Sequence, residues 1–323
     1  MSRALVGHPA ISESTREKVQ SAAVLMGYEA KRPGNKKRNS ETRTIGVLLS
    51  VTELHNRFLT MLLENIHHDL MDLGYHVMVI MDPMNSTKDM AHLSTFRPII
   101  DGYLDGMILL SVTPTSFMVQ ELQRLGVPVV LTVRSVDNAA IDVIESDNAY
   151  GGAEIMRHLY ELGHRRIGLV MGPEASSTSR DRARGALTYL REQGIPPEDS
   201  PVMWNAFSYE AGYSCATQML SNQPQVTAIM AGGDGIALGV LEAARAKNIQ
   251  VPSQLSIVGF DNIPLSGSRL ISLSTIDASA KEMSRVTCRR MVDRIRTGAM
   301  TPPTHDILPV QLIRRDTSGP PSL

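Results

Sequence analysis

The apolar positions of this chain change rhythm once, near Thr44. Before that point Val19, Ala22, Ala23 and Met26 recur at helical spacing, which predicts one helix over residues 12–28. Ser12 or Ser14 can cap it, Glu17 follows Ser14 at capping-box spacing, and Gly27 ends it. Residues 29–43 contain Pro33 and Gly34 and no apolar side chain except Ala30, the composition of a linker.

From Thr44 onward short apolar runs alternate with amphipathic segments. Strands are predicted at 44–50, 75–81, 106–111, 127–133 and 142–146, with helices at 58–74, 88–101, 115–125 and 148–163. A second series has strands at 166–172, 201–206, 227–233 and 255–262, with helices at 177–194, 209–222 and 234–248. A helix at 278–297 and a strand at 307–313 follow, and the tail 316–323 is expected to be disordered. Continuous Val/Ile/Leu strands between helices predict parallel sheets covered on both faces. The expected fold is α/β, with two doubly wound parallel-sheet lobes behind a small all-α N-terminal piece. The first lobe is expected to span 44–163 plus about 278–300, and the second 164–277 plus about 301–315. Ligands of such sheets bind beyond the carboxyl ends of the strands, so the predicted binding place is a cleft between the lobes.

Composition narrows the class. With 323 residues the chain can build two ordinary cores, and 42% hydrophobic with 20% charged residues is usual for a globular protein. No apolar run reaches membrane-spanning length, and the first residues lack the apolar core of an export signal. Cys215 and Cys288 form no CxxC pair, which fits a reducing cytoplasm and excludes thiolate metal sites. The net charge of −1 hides an asymmetry: residues 1–43 carry nine Lys/Arg against four acids, and the remainder is net acidic. A basic end on an acidic body points to an anionic partner such as nucleic acid, the alternative being a solvated charged arm. Enzyme signatures are missing. No glycine-rich turn links the first strand and helix, and no P-loop, HExxH or GxSxG occurs. His67, His68, His158 and His164 have no acid or cysteine at metal-ligand spacing and read as surface or structural residues, so neither metal nor cofactor is expected.

Ordered motifs then add a resemblance. Residues 1–28 are similar to the second half of the headpiece of the LacI/GalR family of regulators, through Ser2, Arg3, Leu5, Gly7, Ser12, Thr15, Arg16, Val19, Ala22, Ala23, Gly27 and Tyr28. HLYELGHRRIGLVMG with RDRARGAL (158–187), FSYEAGY (207–213), TAIMAGGDGIALGVL (227–241) and VPSQLSIVGFDNIPL (251–265) resemble the family's effector domain in order and spacing. The resemblance implies a cytoplasmic transcription regulator, a repressor, whose affinity for a pseudo-palindromic operator is controlled by a sugar or sugar-derived effector. It also implies a homodimer formed through the effector domain, without membrane contact. An export-borne sugar-binding protein would share the lobes but carry a leader and no basic headpiece.

The resemblance assigns sites as well. Ser2, Arg3, Arg16 and Lys18 of the headpiece, and Lys36 and Lys37 of the linker, are expected to grip DNA phosphates. Arg182 stands at the family's R-x-R-x-x-G arginine, Asp261 at its ligand aspartate, Phe207 at its stacking aromatic, and Phe58 at the edge of the first lobe. Asp234 follows Gly232 and Gly233, where the family has A-x-N-D, and is expected in the effector site. Val133 replaces the usual Asp after VPVVLV and is followed by Arg134, which would suit a sugar acid or phosphorylated sugar. The linker puts Lys37 where the family has its wedge Leu, and Pro33 and Gly34 disfavour a hinge helix. Met1 stands where the family has Val within the recognition helix. Since GTG encodes Val and also initiates translation, a native start upstream is expected; the alternative is a headless cytoplasmic sugar-binding protein without DNA binding.

Overall fold

The computed structural model describes residues 42–50, 56–82, 99–100, 102–110, 112, 117–136, 140–223, 225–297 and 302–322, with Ser12, Ser14 and Thr15. It divides into two units, Met1–Glu41 and Thr42–Leu323. In the first, Ser14 and Thr15 are helical, the Thr15 amide donates to the Ser12 carbonyl at 3.1 Å, and their hydroxyls lie 2.8 Å apart. This is the start expected of the headpiece helix. The rest of that helix, the linker, the helix expected at 88–101 up to residue 98, and the candidate DNA contacts Ser2, Arg3, Arg16, Lys18, Lys36 and Lys37 lie outside the described residues.

The second unit begins with β1 (Thr44–Ser50), α1 (Arg57–Asp72), β2 (His76–Asp82), β3 (Gly106–Leu109), α2 (Phe117–Arg124), β4 (Val129–Thr132) and β5 (Asp142–Ser146). It continues with α3 (Asn148–Glu161), β6 (Ile167–Met171), α4 (Ser177–Glu192), β7 (Val202–Trp204), α5 (Tyr209–Asn222), β8 (Ala228–Ala231), α6 (Asp234–Ala246), β9 (Ser256–Asp261) and β10 (Ser274–Asp277). Finally come α7 (Ala280–Thr297), β11 (His305–Leu308) and β12 (Gln311–Ile313). One sheet has the order β2-β1-β3-β4-β5-β11 and is parallel throughout. The other has the order β7-β6-β8-β9-β10-β12, parallel except for β12. β3, β4, β5, β6, β8 and β9 are buried at every position, because helices cover both faces.

Two lobe boundaries differ from expectation. Helix α3, predicted within the first lobe, packs on α4 and under the second sheet. Glycines permit that contact: a Cβ on Gly152 would overlap the Arg182 carbonyl, and one on Gly185 the Ala149 carbonyl. The single strand expected at 307–313 is two strands in different sheets, β11 in the first and β12 in the second. The chain therefore passes between lobes near Asp147, near Ala278 and near Pro309. These passages are tied to one another. The Ser146 hydroxyl donates to the Ala278 carbonyl (2.7 Å), the Asp147 amide to Leu308 (2.8 Å) and the Ser279 hydroxyl to Pro309 (2.7 Å).

Two further differences concern polar residues. β10 was not predicted, because Ser274 and Thr275 interrupt its apolar pattern; both are buried, with hydroxyls that donate to Arg315 carbonyl oxygen and to Asp234. The tail is ordered through residue 322. Thr317 exchanges bonds with Ile257 on β9, and its hydroxyl accepts from the Ser274 amide. His164 and His158, expected to be surface or structural, hold this tail: Nε2 of His164 is 2.9 Å from the Gly319 carbonyl, and Nε2 of His158 is 2.9 Å from the Ser318 hydroxyl.

Gly185→Ala should lower unfolding stability by roughly 1–3 kcal/mol in a denaturant titration, since backbone cannot yield to the added methyl. Burial lowers the pKa of both tail histidines. Their neutral forms are favoured in the fold, so stability should be full above the ordinary value of 6.5 and fall as pH drops below it. Melting in matched buffers tests this, and an unchanged slope in His164→Gln would show that the histidine is not responsible.

Candidate functional site

Both sheets end their strands toward the space between the lobes, at the side where strand order reverses. From the first lobe this end supplies Asn56, Arg57 and Phe58 at the start of α1, and Val133 and Arg134 after β4. From the second it supplies Gly172 after β6, Phe207 to Glu210 at the start of α5, Gly232 and Gly233 after β8, and Asp261 at the end of β9. A cavity of about 460 Å³ lies between Asn56, Arg57 and Phe58 on one side and Phe207 to Glu210, Gly233, Asp261 and Leu265 on the other. That is the size range of pockets for small organic ligands. A chamber of about 20 Å³ bordered by Val133, Arg134, Thr178, Arg182, Phe207 and Asp261 lies further along the same surfaces.

Arg182 organises the second lobe's wall. It sits in the second turn of α4 with only 3% of its surface exposed. Its Nε donates to Asn148 Oδ1 at 2.9 Å, and its Nη1 to the Gly232 carbonyl at 2.6 Å and to Asp261 Oδ1 at 3.3 Å. The guanidinium lies over the Phe260 ring, 3.6 Å from its centroid. Asp261 has a φ of +118°, a conformation rare for a residue with a side chain, and this turns its carboxylate back toward Arg182. Burial pushes the Asp261 pKa up to about 7, against the pull of Arg182.

Of the six residues expected in the effector site, Phe58, Arg134, Arg182, Phe207 and Asp261 border one or both spaces. Phe58 does so from the first lobe's core, almost fully buried. Phe207 is half-buried over Gly172, whose missing side chain makes room for the ring. Asp234 is the exception. Its surface exposure is 0%, and its carboxylate is occupied: Oδ2 accepts from the Ile263 amide (2.9 Å) and the Ser266 hydroxyl (2.6 Å), Oδ1 from the Thr275 hydroxyl (2.6 Å). It braces the turn after β9 from beneath. Gly259 leaves space for that carboxylate, and burial raises its pKa to about 6.

Sequence reading missed Asn56, Arg57, Thr178, Tyr209 and Glu210. Thr178 could have been found from the polar run Ser176 to Ser179 at the head of the helix that carries Arg182. Among the described residues, no group of three His, Cys, Asp or Glu could hold a metal ion. No described helix is long and apolar enough to cross a membrane. Asp234→Asn should cost about 1–3 kcal/mol of stability, because an amide nitrogen would face donors, and should shift the urea midpoint even without ligand.

A family described as a periplasmic binding protein-like domain matches residues 156–318. The HTH-type transcriptional repressor CytR of Escherichia coli (strain K12) is 30% identical over 302 residues, covering 92% of this chain and 85% of its own length. Catabolite control protein A of Priestia megaterium is 27% identical over 316 residues, 98% of this chain and 92% of its own. Among solved structures, a complex of the transcriptional regulator CelR with cellobiose superposes with a TM-score of 0.77 at 26% identity, covering 98% of this chain and 94% of that one. The lac repressor dimer bound to operator and the anti-inducer ONPF shares the fold, with a TM-score of 0.75 at 24% identity over 93% of this chain and 98% of its own. The ordered motifs, the two facing sheets and these relatives lead to one conclusion: this chain belongs to the LacI family of transcriptional regulators.

Proposed function

We propose that this protein represses transcription by binding a pseudo-palindromic operator as a homodimer, and that a small polar effector in the interlobe cleft sets its affinity for DNA. The observation that carries this reading is the wall formed by Arg182, Asp261 and Phe207 at facing strand ends. A guanidinium fork and a carboxylate match the donors and acceptors of a hydroxylated ligand, and an aromatic ring packs against its C–H face. A sugar or a sugar derivative has that surface. The relatives agree in kind: CytR is a repressor, and the CelR structure holds cellobiose. No observation favours a headless binding protein, and no relative reported above is an enzyme.

The mechanism follows from the crossings. Each lobe is a sheet covered by helices, and three hydrogen-bonded passages join them; interlobe motion of the kind found in two-lobed proteins would turn about these passages. An effector that touches both lobes stabilises one angle between them. In a homodimer joined through these lobes, that angle alters the separation of the two DNA-binding ends and so their fit to operator half-sites.

Selection of binding sites from a random duplex pool by the full chain should enrich a pseudo-palindrome, with affinity falling steeply as salt rises. Enrichment no greater than for an unrelated basic protein would end the operator reading. Phe207→Ala should weaken effector binding by about ten-fold while leaving operator affinity without effector near that of the parent. Calorimetry and anisotropy titration separate the two.

A further inference from the structure

The turn that leaves β4 is strained in a way that serves the cleft. Val133 has a φ of +77°, a left-handed conformation that a β-branched residue seldom adopts. It is held there by its amide, which donates to the Ile144 carbonyl at 2.9 Å, and by its side chain, buried in the core. Strain at such a position marks a residue whose neighbours must be aimed. The neighbour here is Arg134. It is only 6% exposed, and its guanidinium lies 5.7 Å from the centroid of Phe207 on the opposite lobe. The next amide, Ser135, donates to the hydroxyl of Ser177 at 3.1 Å, the first residue of α4. This turn therefore spans the cleft and meets the N-terminus of the helix that carries Arg182.

Three features that favour negative charge converge there. Arg134 and Arg182 border the same chamber from opposite lobes. They are close enough that Arg134 opposes charge on Arg182: burial is the main cause of that group's lowered pKa, Asp261 counters it, and Arg134 adds to it. The first turn of the sixteen-residue helix α4 presents the positive end of its dipole and a run of buried hydroxyls. Among these Ser179 is 0% exposed, and its hydroxyl has no hydrogen-bond partner among the described residues. Among the described residues, Asp261 is the one acid that borders the chamber.

We propose that Arg134 makes the cleft selective for an effector bearing an acidic group, a carboxylate or a phosphate, held between the guanidinium groups of Arg134 and Arg182 at the start of α4. This rests on the effector-cleft reading above. The chamber of about 20 Å³ holds no more than a water, so the acidic group is accommodated only when the lobes stand further apart than in this structure. Because Arg134 and Arg182 belong to different lobes, an anion held by both guanidinium groups fixes one spacing between the lobes, which a neutral sugar cannot do as strongly. Charge on the ligand thereby becomes part of the signal.

The test is calorimetry on the full chain with matched sets: glucose, gluconate, glucuronate and glucose 6-phosphate, and the corresponding ribose and cellobiose series. An acidic member should bind at least about ten-fold tighter than its neutral parent, and the carboxylate and phosphate arms show which acid is preferred. Arg134→Gln should remove that margin while neutral-sugar binding persists, and Arg134→Lys should keep part of it. A melting curve of each variant without ligand shows that it is folded; if Arg134→Gln is not, the Lys variant and the parent's salt dependence decide. Neutral parents binding as tightly as both acidic arms, or an unchanged margin in the variants, overturns the proposal and leaves the regulator reading standing. Binding by neither class overturns the proposal and the sugar-effector reading with it, while the operator test still decides the regulator reading.

Discussion

The chain passes between its two sheets three times, and hydrogen bonds join the three passages to one another. Everything else about the molecule is arranged around that joint. Polar contacts through Ser146, Asp147 and Ser279 tie the passages together, and one buried apolar core that includes Phe58 and Ile144 of the first lobe and Ile155 and Phe260 of the second runs alongside them. Both lobes take part in the C-terminal part of the described chain: β11 lies beside β5 and β12 beside β10, so the last strands close both sheets. The two lobes are consequently finished together, only when the C-terminal segment arrives.

Burying charge in the second lobe is what makes its wall stiff. A guanidinium removed from water loses several kcal/mol unless its donors are met, and Arg182 meets that cost with an amide oxygen, a carbonyl, a carboxylate and an aromatic face. Asp234 does the same for the following turn. These two networks share Asp261 as a neighbour, so the carboxylate that borders the cleft rests on a base that is already satisfied. The first lobe contributes differently, through a strained turn whose aim depends on one buried valine.

Much of this could be read along the chain, and the exceptions have a common cause. Strands such as β6 and β8 are runs of apolar residues and announce themselves. Arg182, Asp261 and Phe207 were legible because motif spacing put them at strand and helix ends that the fold brings to one cleft. What failed was whatever depends on polar residues satisfied at long range. Ser274 and Thr275 look like loop residues until Asp234 and the Arg315 carbonyl are beside them. The tail looks unstructured until His158, His164 and Ser256 take up its groups. Asp234 looked like a ligand contact because its true partners, Ile263, Ser266 and Thr275, come more than two dozen residues later. Lobe membership of α3 and β11 failed for a topological reason: periodicity identifies a helix or strand but not the sheet it joins.

The glycine contact between α3 and α4 has an implication for how this cleft can change its ligand. Helices touching backbone to backbone have no side chains to reshape between them, so neither can slide or tilt to accommodate a different pocket. Asn148 and Arg182, carried on that pair, are fixed fittings. The parts of the cleft wall free of that backbone contact are the α1 start, the Val133–Arg134 turn and the approach to α5. One half of the cleft is therefore set by backbone contact, and the other half by turns and side chains.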